Sequence, residues 1–217
     1  MNLANWLERT ALRHPNRKAL FLGSECIGTY KDFWLAVCAL RFHLEKEGVK
    51  SGDRVAVYMQ NCPEFLVAFY AVWSMGAVIV PINFKLHLRE VSWILENAEC
   101  SYILGDTVLA SDISLPDITV FAPKWDQLST NIQVSPVSCS FNDLAWLFYT
   151  SGTTGKPKGV MITHGMIKTM ALSYFADVDQ VYQSDTALYA APMSHGAGLY
   201  SIMHVLVGSR HAIPISG

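Results

Sequence analysis

Twenty consecutive residues from Phe65 to Phe84, FLVAFYAVWSMGAVIVPINF, carry no charge, and any fold of this chain must hide them. That length is about what a bilayer-spanning helix needs. The punctuation of the run points elsewhere. Pro63 and Glu64 open it as they would open a helix, and Met75-Gly76 interrupts it. The residues that follow, AVIVPI, are rich in β-branched types. The run reads as a buried helix followed by a buried strand, not as a transmembrane segment.

The flanking sequence repeats that alternation. Thr29 and Asp32 have the spacing of a capping box, and Phe33, Val37, Leu40 and Leu44 then share one helical face, with Gly48 as a C-terminal cap. A turn and strand at SGDRVAVYM, the helix Pro63–Trp73, the strand AVIVPI, the helix LREVSWILENA and the strand CSYILG follow in order. Continuously apolar strands separated by helices predict an α/β fold, a mostly parallel sheet covered on both faces. Residues 1–105 form a first βαβ portion. Residues 106–140, rich in Ser, Pro, Asp and Thr with one strand at DITVFAP, read as a looser connection between two parts of the sheet. In residues 141–217, DLAWLFYT is a central strand, and Thr163 caps a helix whose Ile167, Met170, Ala171 and Tyr174 share a face. TALYAAP and RHAIPI are further strands around a short helix near Gly198–Leu206.

The central strand runs into Thr150-Ser151-Gly152-Thr153-Thr154-Gly155-Lys156-Pro157-Lys158-Gly159. Glycines at 152, 155 and 159 allow backbone N–H groups to turn toward one point and make an anion-binding concavity. Thr150, Ser151, Thr153 and Thr154 supply hydroxyls, Lys156 and Lys158 supply charge-assisted bonds, and Pro157 stiffens the return of the chain. A polyphosphate is the ligand such a set suits. A Walker A loop is excluded, because Thr150 occupies its first glycine position and Pro157 follows the lysine. An ordinary surface turn of Gly, Ser and Thr is the weaker reading for a pattern of this length behind a buried strand.

YTSGTTGKPKG resembles the signature loop of the adenylate-forming superfamily, which includes acyl- and aryl-CoA synthetases, luciferases and the adenylation domains of peptide synthetases. TYKDF, GDRVAVYMQNCPEFLVAFYAVWSMGAVIVPIN and APMSHGAGLY are similar to further elements of that family, in the family's order and over almost the whole chain. The resemblance implies a two-step reaction. A carboxylate attacks the α-phosphate of ATP with Mg²⁺ present, and a thiol, usually that of coenzyme A, then displaces AMP. It implies that the loop from Thr150 to Lys158 grips the β- and γ-phosphates, with Lys158 acting in catalysis. Which residue approaches Mg²⁺ stays open between Thr150 and Thr154. It also implies that His195 lies beside the substrate carboxylate and adenylate, with Gly196, Ala197 and Gly198 leaving room for the acyl or aryl group. Those three small residues fit a tight strand-to-helix turn equally well, and a histidine packed in such a turn is the competing reading of His195. His204 and His211 lack metal-ligand spacing, and Trp93, Trp125 and Trp146 read as packing residues.

The same resemblance implies elements that do not occur here: a Tyr-Gly-x-Thr-Glu glutamate for Mg²⁺, a Thr-Gly-Asp aspartate for the ribose, and a lysine on a small C-terminal domain. The 217 residues are therefore expected to be an incomplete part of the family's large N-terminal domain, inactive alone and prone to self-association through uncovered apolar surface. An apolar content of 51% with only 16% charged residues fits that expectation. A net charge of −2 gives no footprint for nucleic acid. Five scattered cysteines and the absence of an apolar signal core at the N-terminus point to a reduced, cytoplasmic protein. The parent is expected to be an acyl-CoA synthetase-like ligase, as in fatty acid metabolism. An adenylation domain that loads amino or aryl acids onto a carrier protein, and a degenerate nucleotide-binding fragment, are the alternatives.

Overall fold

A computed structural model describes residues 1–106, 113, 118–128, 132–150 and 157–215. The uncharged run divides as its punctuation predicts. Helix α3 (Pro63–Ser74) has every residue but Glu64 buried, Gly76 takes a φ of 73°, and strand β4 (Val78–Pro81) is buried throughout. A left-handed φ costs glycine nothing, so Gly76 reverses the chain where a side chain would be strained. Among the described residues no helix is long and apolar enough to cross a membrane.

Around this pair stand α1 (Ala4–Arg13), β1 (Lys18–Leu22), β2 (Glu25–Thr29), α2 (Tyr30–Lys46), β3 (Arg54–Tyr58), α4 (Leu88–Asn97), β5 (Tyr102–Gly105) and β6 (Thr119–Phe121). The chain continues through β7 (Leu144–Thr150), β8 (Lys158–Thr163), α5 (His164–Asp177), β9 (Thr186–Leu188), α6 (Gly196–Val207) and β10 (Arg210–Ile213). The capping box of α2 forms: the Thr29 side chain accepts from the Asp32 amide, and the Asp32 carboxylate accepts from the Thr29 amide at 2.9 Å. Thr163 caps α5 by accepting from the Met166 amide at 3.1 Å.

One sheet has the order β6-β5-β3-β4-β7-β8, parallel except for the β7–β8 hairpin. Side chains alternate across it with period two. Val55 and Val57 join a core with α1, α2 and α3, while Ala56 and Tyr58 join a second core with Val91, Ile94 and Leu95 of α4. Both faces are covered, which is why these strands read as unbroken apolar runs. Within the larger core Phe69 meets Trp146 at 4.7 Å between ring centroids, and the Trp73 indole donates to the Ala145 carbonyl at 2.9 Å.

The strands at TALYAAP and RHAIPI do not extend that sheet. They form β9 and β10 of a second one, ordered β2-β1-β10-β9, in which β1 pairs parallel to β10. The hairpin β1–β2 within it turns at Gly23-Ser24, where Gly23 has a φ of 58°. The described part of the 106–140 connection is anchored to the core. Arg41 donates to the Ser135 carbonyl at 2.9 Å, and the Val137 amide donates to Ser74 at 2.8 Å.

Candidate active site

Strand β7 carries Thr150 at its end, and β8 opens with Lys158 directly opposite it in register. The two outer members of the phosphate-binding pattern therefore stand side by side, both exposed. Ser151, Gly152, Thr153, Thr154, Gly155 and Lys156 lie outside the described residues. Gly159 departs from its expected part in a turn, because it is a strand residue of β8 opposite Tyr149. A Cβ on Gly159 would sit 2.9 Å from Cζ of Tyr149, so the missing side chain makes room for the tyrosine ring.

Helix α4 braces both arms of this hairpin. The Tyr149 hydroxyl donates to Oδ1 of Asn97 at 2.7 Å, and the Trp93 indole donates to the Pro157 carbonyl at 3.2 Å. Trp93 therefore does more than pack. The pattern of α4 shows a helix with an apolar face, but no local signal marks which of its side chains reaches Pro157. The helix is held in place by its own capping box, in which Glu90 accepts from the His87 amide and the His87 ring accepts from the Arg89 amide, each at 3.2 Å.

A cleft of about 250 Å³ opens beside the hairpin, lined by Asn83, Glu90, Tyr149, Thr150, Pro157 and His195 among others. Its walls come from the carboxyl ends of β4 and β7, where ligands bind in open parallel sheets. His195 reaches it as the N-cap residue of α6, half-buried, with its ring centroid 5.5 Å from that of Phe148. The fold thus brings together Thr150 and His195, which are 45 positions apart in the chain, on one cleft.

The three small residues after His195 differ from one another. Among the described residues a Cβ on Gly196 would meet only Tyr200, at 3.9 Å. Ala197 is half-buried against the core. A Cβ on Gly198 would lie 2.1 Å from the Met193 carbonyl oxygen, so this glycine serves the tight strand-to-helix turn.

The remaining buried histidines serve the core. His211 is fully buried between two tyrosines: the Tyr189 hydroxyl bonds its Nδ1 at 2.7 Å and the Tyr30 hydroxyl its Nε2 at 3.2 Å. Because Tyr30 also donates to the Ser209 carbonyl at 2.6 Å, it accepts from Nε2–H, and Tyr189 donates to Nδ1. Burial, with His204 nearby, holds the His211 pKa down at about 3. Burial also lowers that of His204, whose Nδ1 meets the Ser209 hydroxyl at 2.7 Å. No group of three or more His, Cys, Asp or Glu side chains able to hold a metal occurs among the described residues. The five cysteines are free thiols.

The sequence profile of the AMP-binding enzyme family matches residues 7–215. Feruloyl-CoA synthase from Amycolatopsis sp is 30% identical over 199 residues, 91% of this chain and 40% of that protein. A 2-succinylbenzoate–CoA ligase from Bacillus thuringiensis subsp. konkukian is 32% identical over 216 residues, 96% of this chain and 42% of that protein. Among solved structures, the N-terminal domain of FACL13 from Mycobacterium tuberculosis superposes with a TM-score of 0.85 at 28% identity, covering 99% of this chain and 57% of that one. O-succinylbenzoate coenzyme A synthetase from Bacillus subtilis, in complex with AMP, gives 0.84 at 27% identity, covering 97% and 55%. The chain thus spans about two fifths of the length of these curated relatives. With residues 7–215 matched by the family profile and the fold shared with these solved domains, the chain belongs to the AMP-binding enzyme family.

Proposed function

We propose that this chain supplies the phosphate-gripping and acid-facing part of an enzyme that activates a carboxylic acid with ATP and passes the acyl group to the thiol of coenzyme A. The observation that carries this reading is the shared cleft of Thr150 and His195, with Lys158 in register beside Thr150. A triphosphate held at the hairpin would point its α-phosphate into the cleft, toward an acid lying against His195.

A carboxylate oxygen then attacks the α-phosphorus, and the bond to the bridging oxygen breaks. The electron pair leaves on pyrophosphate. Negative charge grows on the leaving group, where the Lys158 ammonium and the Thr150 hydroxyl stabilise it more than in the ground state. Ser151, Thr153, Thr154 and Lys156, with the backbone of Gly152 and Gly155, complete that grip in this reading. Mg²⁺, when bound, shares the charge of the phosphates. In the second step a thiolate sulfur bonds to the acyl carbon and AMP departs with the electron pair. Coenzyme A as acceptor is supported by the relatives, which are named as CoA ligases and synthases.

In the whole enzyme, Lys158→Ala should slow acid-dependent ATP–pyrophosphate exchange by on the order of 10²–10³-fold, the scale of losing one oxyanion-type donor. Its melting temperature should stay put, because Lys158 is exposed. Unchanged exchange would overturn the assignment. The 217 residues alone should bind polyphosphate without sustained pyrophosphate release. They should self-associate on size-exclusion chromatography through exposed Met161 on edge strand β8 and Leu188 on edge strand β9.

A further inference from the structure

Asn61 lies between β3 and α3, three positions beyond the last residue of the strand and two before the helix begins. Its side-chain amide is committed to one distant stretch of backbone. Nδ2 donates to the carbonyls of Tyr189 at 3.0 Å and Ala191 at 2.8 Å, and Oδ1 accepts from the Met193 amide at 2.9 Å. Residues 189, 191 and 193 alternate, so they present their backbone groups to one side as a strand would. This stretch has left β9 and has not yet entered α6. The asparagine amide acts there as a one-residue strand partner, offering two donors and an acceptor in a single plane.

What lies beyond the clamp is His195. Its own amide donates to the Pro192 carbonyl at 3.1 Å, and its carbonyl accepts from Gly198 at 3.0 Å, so its backbone follows wherever residues 191–193 are held. No side-chain hydrogen bond caps α6 at His195. The imidazole is placed by its backbone and by the Phe148 ring, and the backbone is placed by Asn61. The base of the clamp is firm, since β3 and the fully buried flank of α3 hold Asn61 from both sides.

We propose that Asn61 is a positioning residue for His195, holding the β9–α6 segment so that the imidazole meets Phe148 and faces the cleft. The catalytic weight of this placement rests on the reading of His195 given above; the geometry does not. Chemistry narrows the residue type. Aspartate keeps the acceptor for Met193 but turns a negative charge on two carbonyls, and alanine keeps nothing.

Isotope-labelled Asn61→Ala and Asn61→Asp versions of the chain test this by NMR and amide hydrogen exchange. In Asn61→Ala, exchange at the Met193 amide should accelerate roughly 5- to 10-fold or more, as expected for a lost bond of about 1 kcal/mol. The His195 ring protons should also lose their contact with Phe148, while the buried Trp73 and Trp146 signals stay in place. In Asn61→Asp the Met193 amide should keep its protection and His195 should still shift. If Asn61→Ala fails to fold, the Asn61→Asp comparison carries the test. Unchanged His195 signals in a folded variant of either kind would overturn the proposal. In the whole enzyme, Asn61→Ala should lower kcat for adenylation with the KM for ATP unmoved, and should add little to His195→Ala. A harmless His195→Ala beside shifted His195 signals in the Asn61 variants would remove the catalytic reading and leave the positioning role standing.

Discussion

The ring of Tyr149 lies across Gly159 on the neighbouring strand, where a Cβ would come within 2.9 Å of it, and its hydroxyl is tied to Asn97 at 2.7 Å. The ring cannot simply swing aside, because moving it breaks the bond to α4. The arm of the hairpin that carries Lys158 is therefore aligned on the arm that carries Thr150 by a tyrosine filling the space of a missing side chain.

Gly159→Ala should accordingly destabilise the chain by about 1–3 kcal/mol, the usual cost of forcing extra volume into a filled site. For a chain of this size that corresponds to a melting temperature lower by roughly 2–4 °C per kcal/mol. Phosphate affinity should fall with it. Thermal melts with and without tripolyphosphate check both effects, and a neutral substitution would show that the ring moves freely.

His195→Ala should weaken acid-dependent adenylation in the whole enzyme far more than it weakens ATP binding. The histidine shares the cleft with Thr150 but enters it from the start of α6, with its ring next to Phe148 of β7. Pyrophosphate exchange measured beside ATP affinity separates the two. Equal losses, or loss of folding, would assign His195 to packing.

Two buried histidines, His211 and His164, and the half-buried His204 give the chain a pH-dependent stability whose sign is fixed by their surroundings. Burial holds His211 at a pKa of about 3 and His164 at about 4, and lowers that of His204. Each binds its proton more readily when unfolded, where the pKa is about 6.5. Their contribution is therefore complete above that value and declines as pH falls from about 6.5 toward the folded pKa values, by up to about 1.4 kcal/mol per pH unit for each group. Denaturant unfolding at pH 8, 7, 6 and 5 should show a plateau and then a fall. The His211 ring signals should keep their neutral-form shifts down to pH 5, and titration of that ring near 6.5 would contradict the burial assigned to it.

Local features of this fold were legible in the sequence, and long-range ones were not. The helix and strand of the uncharged run, the capping box at Thr29 and Asp32, and the Thr163 cap all rest on residues within a few positions of one another. The second sheet rests on β1 meeting β10 across most of the chain, with Leu20 beside His211. Neither five-residue strand β1 nor four-residue strand β10 carries a period that reveals its partner. The site divides in the same way. Thr150, Lys158 and His195 belong to motifs and could be named in advance. Trp93, Asn97 and Asn61 act through side-chain hydrogen bonds to distant segments, and an asparagine or tryptophan on a half-apolar element has no spacing that announces such a contact. The glycine pattern predicts a backbone turn at Gly159, whereas in the fold its absent side chain admits the Tyr149 ring within strand β8.

In the proposed function, the hairpin that carries Thr150 and Lys158 grips polyphosphate at the mouth of the His195 cleft. The direct measurement is an NMR titration of the 217-residue chain with ATP, inorganic tripolyphosphate and adenosine, repeated on Lys158→Ala. The account predicts that ATP and tripolyphosphate both shift the Thr150 and Lys158 amides, that adenosine leaves them still, and that Lys158→Ala weakens both ligands about tenfold or more, as for a lost charge-assisted bond. Shifts that avoid the hairpin, or equal affinity in Lys158→Ala, would contradict it.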